Sequence, residues 1–140
     1  MPSSFLATAL LLALPLSAWQ DPIAQGDAAW ERRAEGQQGG QPQAGPIDEA
    51  IAAYERALRA DPASLDAAWK LLRALHFKGD YLVRTSEEKQ KIFARGRDVA
   101  EAALDRIAQR AGGRKKLDGL APQAAAKALA AIPQARPIHL

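Results

Sequence analysis

The chain has 140 residues, of which 48% are hydrophobic and 25% charged, with a formal net charge of +3; this suffices for one globular domain and falls short of two. It contains no Cys and two His, which excludes disulfides, thiol catalysis, thiolate metal sites and a three-histidine zinc site. Aromatic residues make up 6%, alongside ten Gly and nine Pro, so a β-sandwich is disfavoured and an Ala- and Leu-rich all-α fold is expected.

Residues 1–18 read as an export signal. The first twenty residues carry no charge, and the apolar run over 5–16 is shorter than the ~20 residues that span a bilayer. Small Ser17 and Ala18 then follow as a cleavage site. The region lacks Lys and Arg, so an uncleaved amphipathic or signal-anchor helix stays open. With no Cys after the apolar run, anchoring by thiol acylation is excluded. The expectation is a periplasmic or secreted protein with no stable membrane span once the signal is removed.

The next segment, 19–35, holds a first helix over 22–35, with Ile23, Trp30 and in some registers Ala34 on one side. A flexible Gly- and Gln-rich loop is expected over 36–45. Residues 46–111 hold the main helices. In the second helix Pro46 sits in the first turn, Asp48 and Glu49 favour the positive helix end, and Ile47, Ala50, Ile51, Tyr54, Ala57 and Leu58 mark one face up to Asp61-Pro62. A third helix over 63–78 turns Leu65, Trp69, Leu72 and either Leu75 or His76 inward and stops at Gly79-Asp80.

Thr85 followed by Glu88 has the form of a capping box, opening a long helix to about residue 111 before Gly112-Gly113. Its apolar seam is Ile92, Phe93, Gly96, Val99 or Ala100, Ala103, Leu104 and Ile107. A basic, Gly-containing loop over 112–121 leads to an Ala-rich helix over 122–132, whose few large side chains allow only weak packing. The chain then runs to residue 140 through Pro133 and Pro137 and finishes on Ile138-His139-Leu140. That apolar, unclosed ending leads to the expectation of a C-terminally truncated copy of a longer protein.

Ala50, Tyr54, Ala57 and Pro62 stand at the small, aromatic, small and proline positions of the second helix of a tetratricopeptide repeat. Trp30 and Trp69 take the place of its leading Trp, with Leu72 three residues after the second. They are spaced more widely than the nominal repeat of about 34 residues, so each copy must hold an insertion. The second copy departs from the pattern at Arg73, Gly96 and Ala100 and lacks a closing Pro. The fold expected is a set of antiparallel helical hairpins of degenerate tetratricopeptide-like repeats, a short right-handed α-solenoid. Small Ala50, Ala57, Gly96 and Ala103 would let helix axes approach while Trp30, Tyr54, Trp69 and Phe93 fill the space between them; Trp30, Tyr54, Leu72 and Phe93 with those four small residues make up the expected repeat core. Two copies leave a face uncovered, since such stacks generally need three.

Trp69, Leu72, Arg73 and His76 follow helical spacing, and Trp69, Arg73 and His76 form the candidate partner or ligand face. The competing structural reading has Arg73 reaching solvent or a carboxylate such as Asp98 or Glu101, and His76 satisfied between helices. His76 has no neighbouring His or Cys to make a metal site. Arg106, Arg110, Arg114, Lys115 and Lys116, with a sequence pI near 9.4, complement a helix carboxyl end and lack the interleaved aromatics of a nucleic-acid surface. The mixed charges from Glu87 to Asp98 read as a solvated face. The sequence contains no phosphate-binding glycine loop, H-E-x-x-H pair or G-x-S-x-G elbow. Neither an enzyme nor a cofactor is expected.

The strings LLRALHFKGD (71–80) and KIFARGRDVAEAAL (91–104), on an exported helical-repeat chain, resemble the T-component family of tripartite ATP-independent periplasmic (TRAP) transporters. That resemblance implies a non-enzymatic periplasmic module that associates with a protein partner such as a substrate-binding subunit and offers a cavity to a small apolar ligand, with oligomerisation left open. Family members are often lipid-anchored, which the absence of Cys here does not support. The alternative is a generic tetratricopeptide scaffold for protein–protein interaction with no transport role.

Overall fold

A computed structural model describes residues 21–135. The expected signal over 1–18 and the tail at Pro137, Ile138, His139 and Leu140 lie outside these residues. The described chain is all-α, in the order α1 (Pro22–Glu31), α2 (Ala44–Ala60), α3 (Leu65–Phe77), α4 (Ser86–Arg110), α5 (Arg114–Asp118) and α6 (Pro122–Ala130). No described helix is long and apolar enough to cross a membrane.

The helix boundaries follow from local chemistry. Asp21 caps α1 by accepting from the Ile23 amide at 2.9 Å, and Pro22 at the first position forgoes no bond. A short 3₁₀ turn, Arg32–Ala34, ends the segment. Ser64 caps α3 through the Ala67 amide at 3.2 Å. Thr85 caps α4 through the Glu88 amide at 3.3 Å, and its hydroxyl also meets the Glu88 carboxylate at 2.7 Å.

Three expectations change. The segment 36–45 contains a tight turn: Gln38 and Gln41 exchange backbone bonds across Gly39 (φ +57°) and Gly40 (φ +78°). Two positive-φ residues between paired positions are what a type I′ turn requires. Helix α2 then starts at Ala44, which leaves Pro46 in the first turn. Gly79-Asp80 does not stop the third helix; the chain widens into a π turn over Lys78–Leu82. The basic segment 112–121 contains α5, entered through Gly112 and Gly113 at φ near +100°.

Side-chain contacts fix the directions of packing. Gln25 and Asp27 of α1, and Arg32 just beyond its end, meet Arg56, Tyr54 and Glu49 of α2, an antiparallel register. Asp48 of α2 meets Lys78, just beyond the end of α3, while Leu58 packs beside Leu65 and Ala68, again antiparallel. Leu72 lies beside Gly96 of α4 and Leu65 beside Ile107. Helices two apart in sequence therefore run parallel, and Asp27–Lys70 and Glu55–Arg95 link α1 to α3 and α2 to α4.

Two apolar clusters hold the helices. One joins Trp30, Ile47, Ala50, Ile51, Tyr54, Leu71, Ala74 and Leu75, all buried. The other joins Leu65, Ala68, Ala103 and Ile107 with Ile132 and Ala135. No residue of α6 itself is buried; Ile132 and Ala135, beyond its end, dock this segment. The buried residues of α3 are Leu65, Ala67, Ala68, Leu71, Ala74 and Leu75, so Leu75 and not His76 turns inward. Trp69 and Leu72, expected inward, are only half-buried because the face against α1 and α2 runs through Leu71 and Ala74.

Candidate functional site

The α1–α3 face carries a ladder of cations and indoles. The Arg73 guanidinium lies 4.1 Å from the Trp30 ring centroid and 4.8 Å from that of Trp69, so it is held between two π faces. Arg33 covers Trp30 at 4.8 Å and bonds that residue's carbonyl at 3.1 Å. Lys70 stands 5.9 Å from the Trp69 ring. Trp30 also meets Phe77 edge-on, and Phe77 meets the exposed Tyr81 at a tilt.

Beneath the ladder lies a polar network. Tyr54, fully buried, donates to Asp27 at 2.8 Å, and Lys70 reaches Asp27 at 2.6 Å and Asp66 at 3.2 Å. Trp69 Nε1 donates to Asp66 at 2.9 Å, which sets the orientation of its indole. Burial, then the bond to Asp27 and its charge, push the Tyr54 hydroxyl well above the ordinary tyrosine range, while the adjacent Arg73 opposes them. Burial pulls Lys70 down, but its bonds to Asp27 and Asp66 prevail and hold it above 10.5. Arg73 Nε is buried without a hydrogen-bond partner, and Arg73 makes no ion pair among the described residues.

The structure brings two of the three candidate face residues together. Trp69 and Arg73 share the ladder; His76 does not. Its side chain is 72% exposed and sits 3.2 Å from Asp80 and 6.1 Å, ring to ring, from Phe93. At roughly 100° per residue, the stripe Trp69–Leu72–Arg73–His76 straddles the gap between α1 and α4. Arg73 swings to α1, while Leu72 and His76 lean toward α4. Neither Asp98 nor Glu101 meets Arg73.

Among the residues expected to fill the repeat core, Trp30, Ala50, Tyr54, Ala57 and Ala103 are buried. Phe93 is 41% exposed, and Leu72 and Gly96 are half-buried. With His76 and Ile92 these three line an open apolar cleft of about 250 Å³ between α3 and α4. Phe93 is drawn out of the core because its ring packs against Gly79 in the π turn. Asp27, Arg33, Lys70 and Phe77 were not singled out by the sequence. The Asp66, Trp69 and Lys70 spacing marks a local network in retrospect, but nothing local joins Asp27 to Lys70.

Among the described residues no cluster of His, Asp and Glu is placed to hold a metal ion. Comparison of the chain with protein-family models, curated proteins and solved structures gives no match.

Proposed function

We propose that this chain is a non-enzymatic, exported helical-repeat module that binds a protein partner and a small apolar ligand, in the manner of a TRAP transporter T component. In this reading α1–α2 and α3–α4 are two degenerate tetratricopeptide-like hairpins of a short right-handed solenoid. Antiparallel neighbours meshing a bulky ring against a small residue, as Tyr54 does on Gly26, support it.

The observation that carries the partner reading is Arg73. A guanidinium fixed between Trp30 and Trp69, with no carboxylate opposite it, offers a pre-oriented cation on an aromatic platform. Arg and Trp in such settings are the residues on which interface energy concentrates. An acidic segment of a partner satisfies that charge, with Arg33 adding a second cation.

The test immobilises the full chain and its Arg73→Gln variant and compares, by mass spectrometry, what each retains from an extract of exported proteins, with circular dichroism checking the fold. One partner retained by the parent and lost from Arg73→Gln supports the reading; equal retention overturns this face. If that partner is a transporter substrate-binding subunit, the transport role stands. An unrelated partner, with no ligand in solvent extracts of the native protein, favours the generic scaffold.

A further inference from the structure

Away from the α1–α3 face, a second opening runs along α4. Leu58, Ala68, Val99 and Ala103 form the apolar floor of a cleft of about 320 Å³, at the lower end of the ~300–1,000 Å³ typical of small-molecule sites. Small Ala68, Ala102 and Ala103 leave this space where larger side chains would fill it.

The charges at its rim are unevenly placed. Arg95 and Arg106 line opposite ends, about 16 Å apart along the helix. Arg95 is paired with Glu55 of α2, and Asp98 stands beside it on the same rim, so that end is net negative. Arg106 is half-buried and has no hydrogen-bond or ion-pair partner among the described residues. Ser64, the cap of α3, lines the cleft as well, adding the positive end of a helix dipole. Arg110 reaches the adjacent Ala63 carbonyl at 2.7 Å, and Asp61 is occupied by the Ala63 amide at 3.0 Å.

We propose that this cleft binds a single-chain amphiphile with a carboxylate head, the head against Arg106 and the hydrocarbon along Leu58, Val99 and Ala103. This names the chemical class for the ligand half of the function proposed above and rests on that reading. A cationic head would meet Arg106 unfavourably. An uncharged one would forgo the charge-assisted bond that an unpaired, half-buried guanidinium offers.

Titration calorimetry on the full chain, below micelle-forming concentrations, compares decanoate with decanol and decyltrimethylammonium. One decanoate should bind per chain at least about tenfold more tightly than decanol, and decyltrimethylammonium most weakly. Arg106→Gln should bring decanoate down to the affinity of decanol. Ala102→Trp, an exposed position on the cleft wall, should abolish binding of both. The proposal is overturned by failure of decanoate to bind, by equal affinity for the three probes, by indifference to Arg106→Gln, or by unchanged binding in Ala102→Trp. Partner retention through Arg73 is measured separately, so loss of the ligand result alone leaves the partner reading intact.

Discussion

Gly26 of α1 lies against the ring of Tyr54, so closely that a Cβ there would stand 2.6 Å from Tyr54 Cδ1. An interior helical Gly ordinarily weakens a helix by ~0.5–1 kcal/mol relative to Ala. Here the ring cannot retreat, because Tyr54 is fully buried and its hydroxyl is tied to Asp27. Gly26→Ala should therefore destabilise the fold by about 1–3 kcal/mol, seen as a lower urea midpoint. A gain in stability would show that α1 and α2 are not locked at this point.

Stability should fall at alkaline pH. Burial, then Asp27, raise Tyr54; for Lys70 burial acts downward, but Asp27 and Asp66 outweigh it and the group is also raised. Both groups thus hold their proton more tightly folded than unfolded. Their contribution is complete below the unfolded values of about 10 and 10.4 and is lost as pH rises from there through the folded values. Urea midpoints should be flat from pH 7 to 9 and decline above about pH 10. Tyr54→Phe should lose about 1 kcal/mol at neutral pH and show a shallower alkaline decline.

Arg73→Met keeps the stem between the indoles and removes the charge. The lost cation–π attraction, ~0.5–2 kcal/mol, is opposed by removal of a buried unsatisfied donor whose burden is ~1–3 kcal/mol. Urea unfolding should accordingly change by less than about 1 kcal/mol. A loss several times larger would mean that Arg73 is a structural keystone instead of a presented group.

Leu71→Ala, in the buried face of α3, should lose about 2–5 kcal/mol. Phe93→Ala, despite removing more atoms, should lose under about 2 kcal/mol, because much of its ring already meets water. The order of the two thermal midpoints checks the placement of Phe93 at the α3–α4 cleft.

Thr85→Ala removes the cap of α4 and should lower stability by about 1 kcal/mol. Amide exchange should accelerate at Glu88 and its neighbours in the first turn while the segment around Ile107 keeps its protection.

Much of the architecture was legible because it is written in short-range chemistry. The Thr85–Glu88 cap, Pro22 and the Asp61-Pro62 stop are each decided by atoms within about one turn of the chain, and each appears where it was expected. Gly79-Asp80 misled because a glycine ends a helix only when the chain turns away there; Phe93 packing on Gly79 lets the coil continue as a wider turn. The turn at Gly39-Gly40 was missed because two glycines among glutamines read as slack, although the same pair is suited to positive φ.

The candidate face was half legible. Helical spacing placed Trp69 and Arg73 together, and they meet. Nothing in that spacing distinguishes Arg73, which leans to α1, from Leu72 and His76, which lean to α4, since the division depends on where two other helices lie. For the same reason the partnership of Asp27 with both Tyr54 and Lys70, and the unpaired Arg106 over an apolar cleft, had no local signature. The sequence alone determined the capped helix starts at Pro22 and Thr85, the Asp61-Pro62 stop and the inward face of α2, through hydrogen bonds and propensities acting over a few residues. Tertiary packing alone decided which polar side chains share a surface and which apolar ones stay open, because those outcomes depend on distances between segments that are remote along the chain.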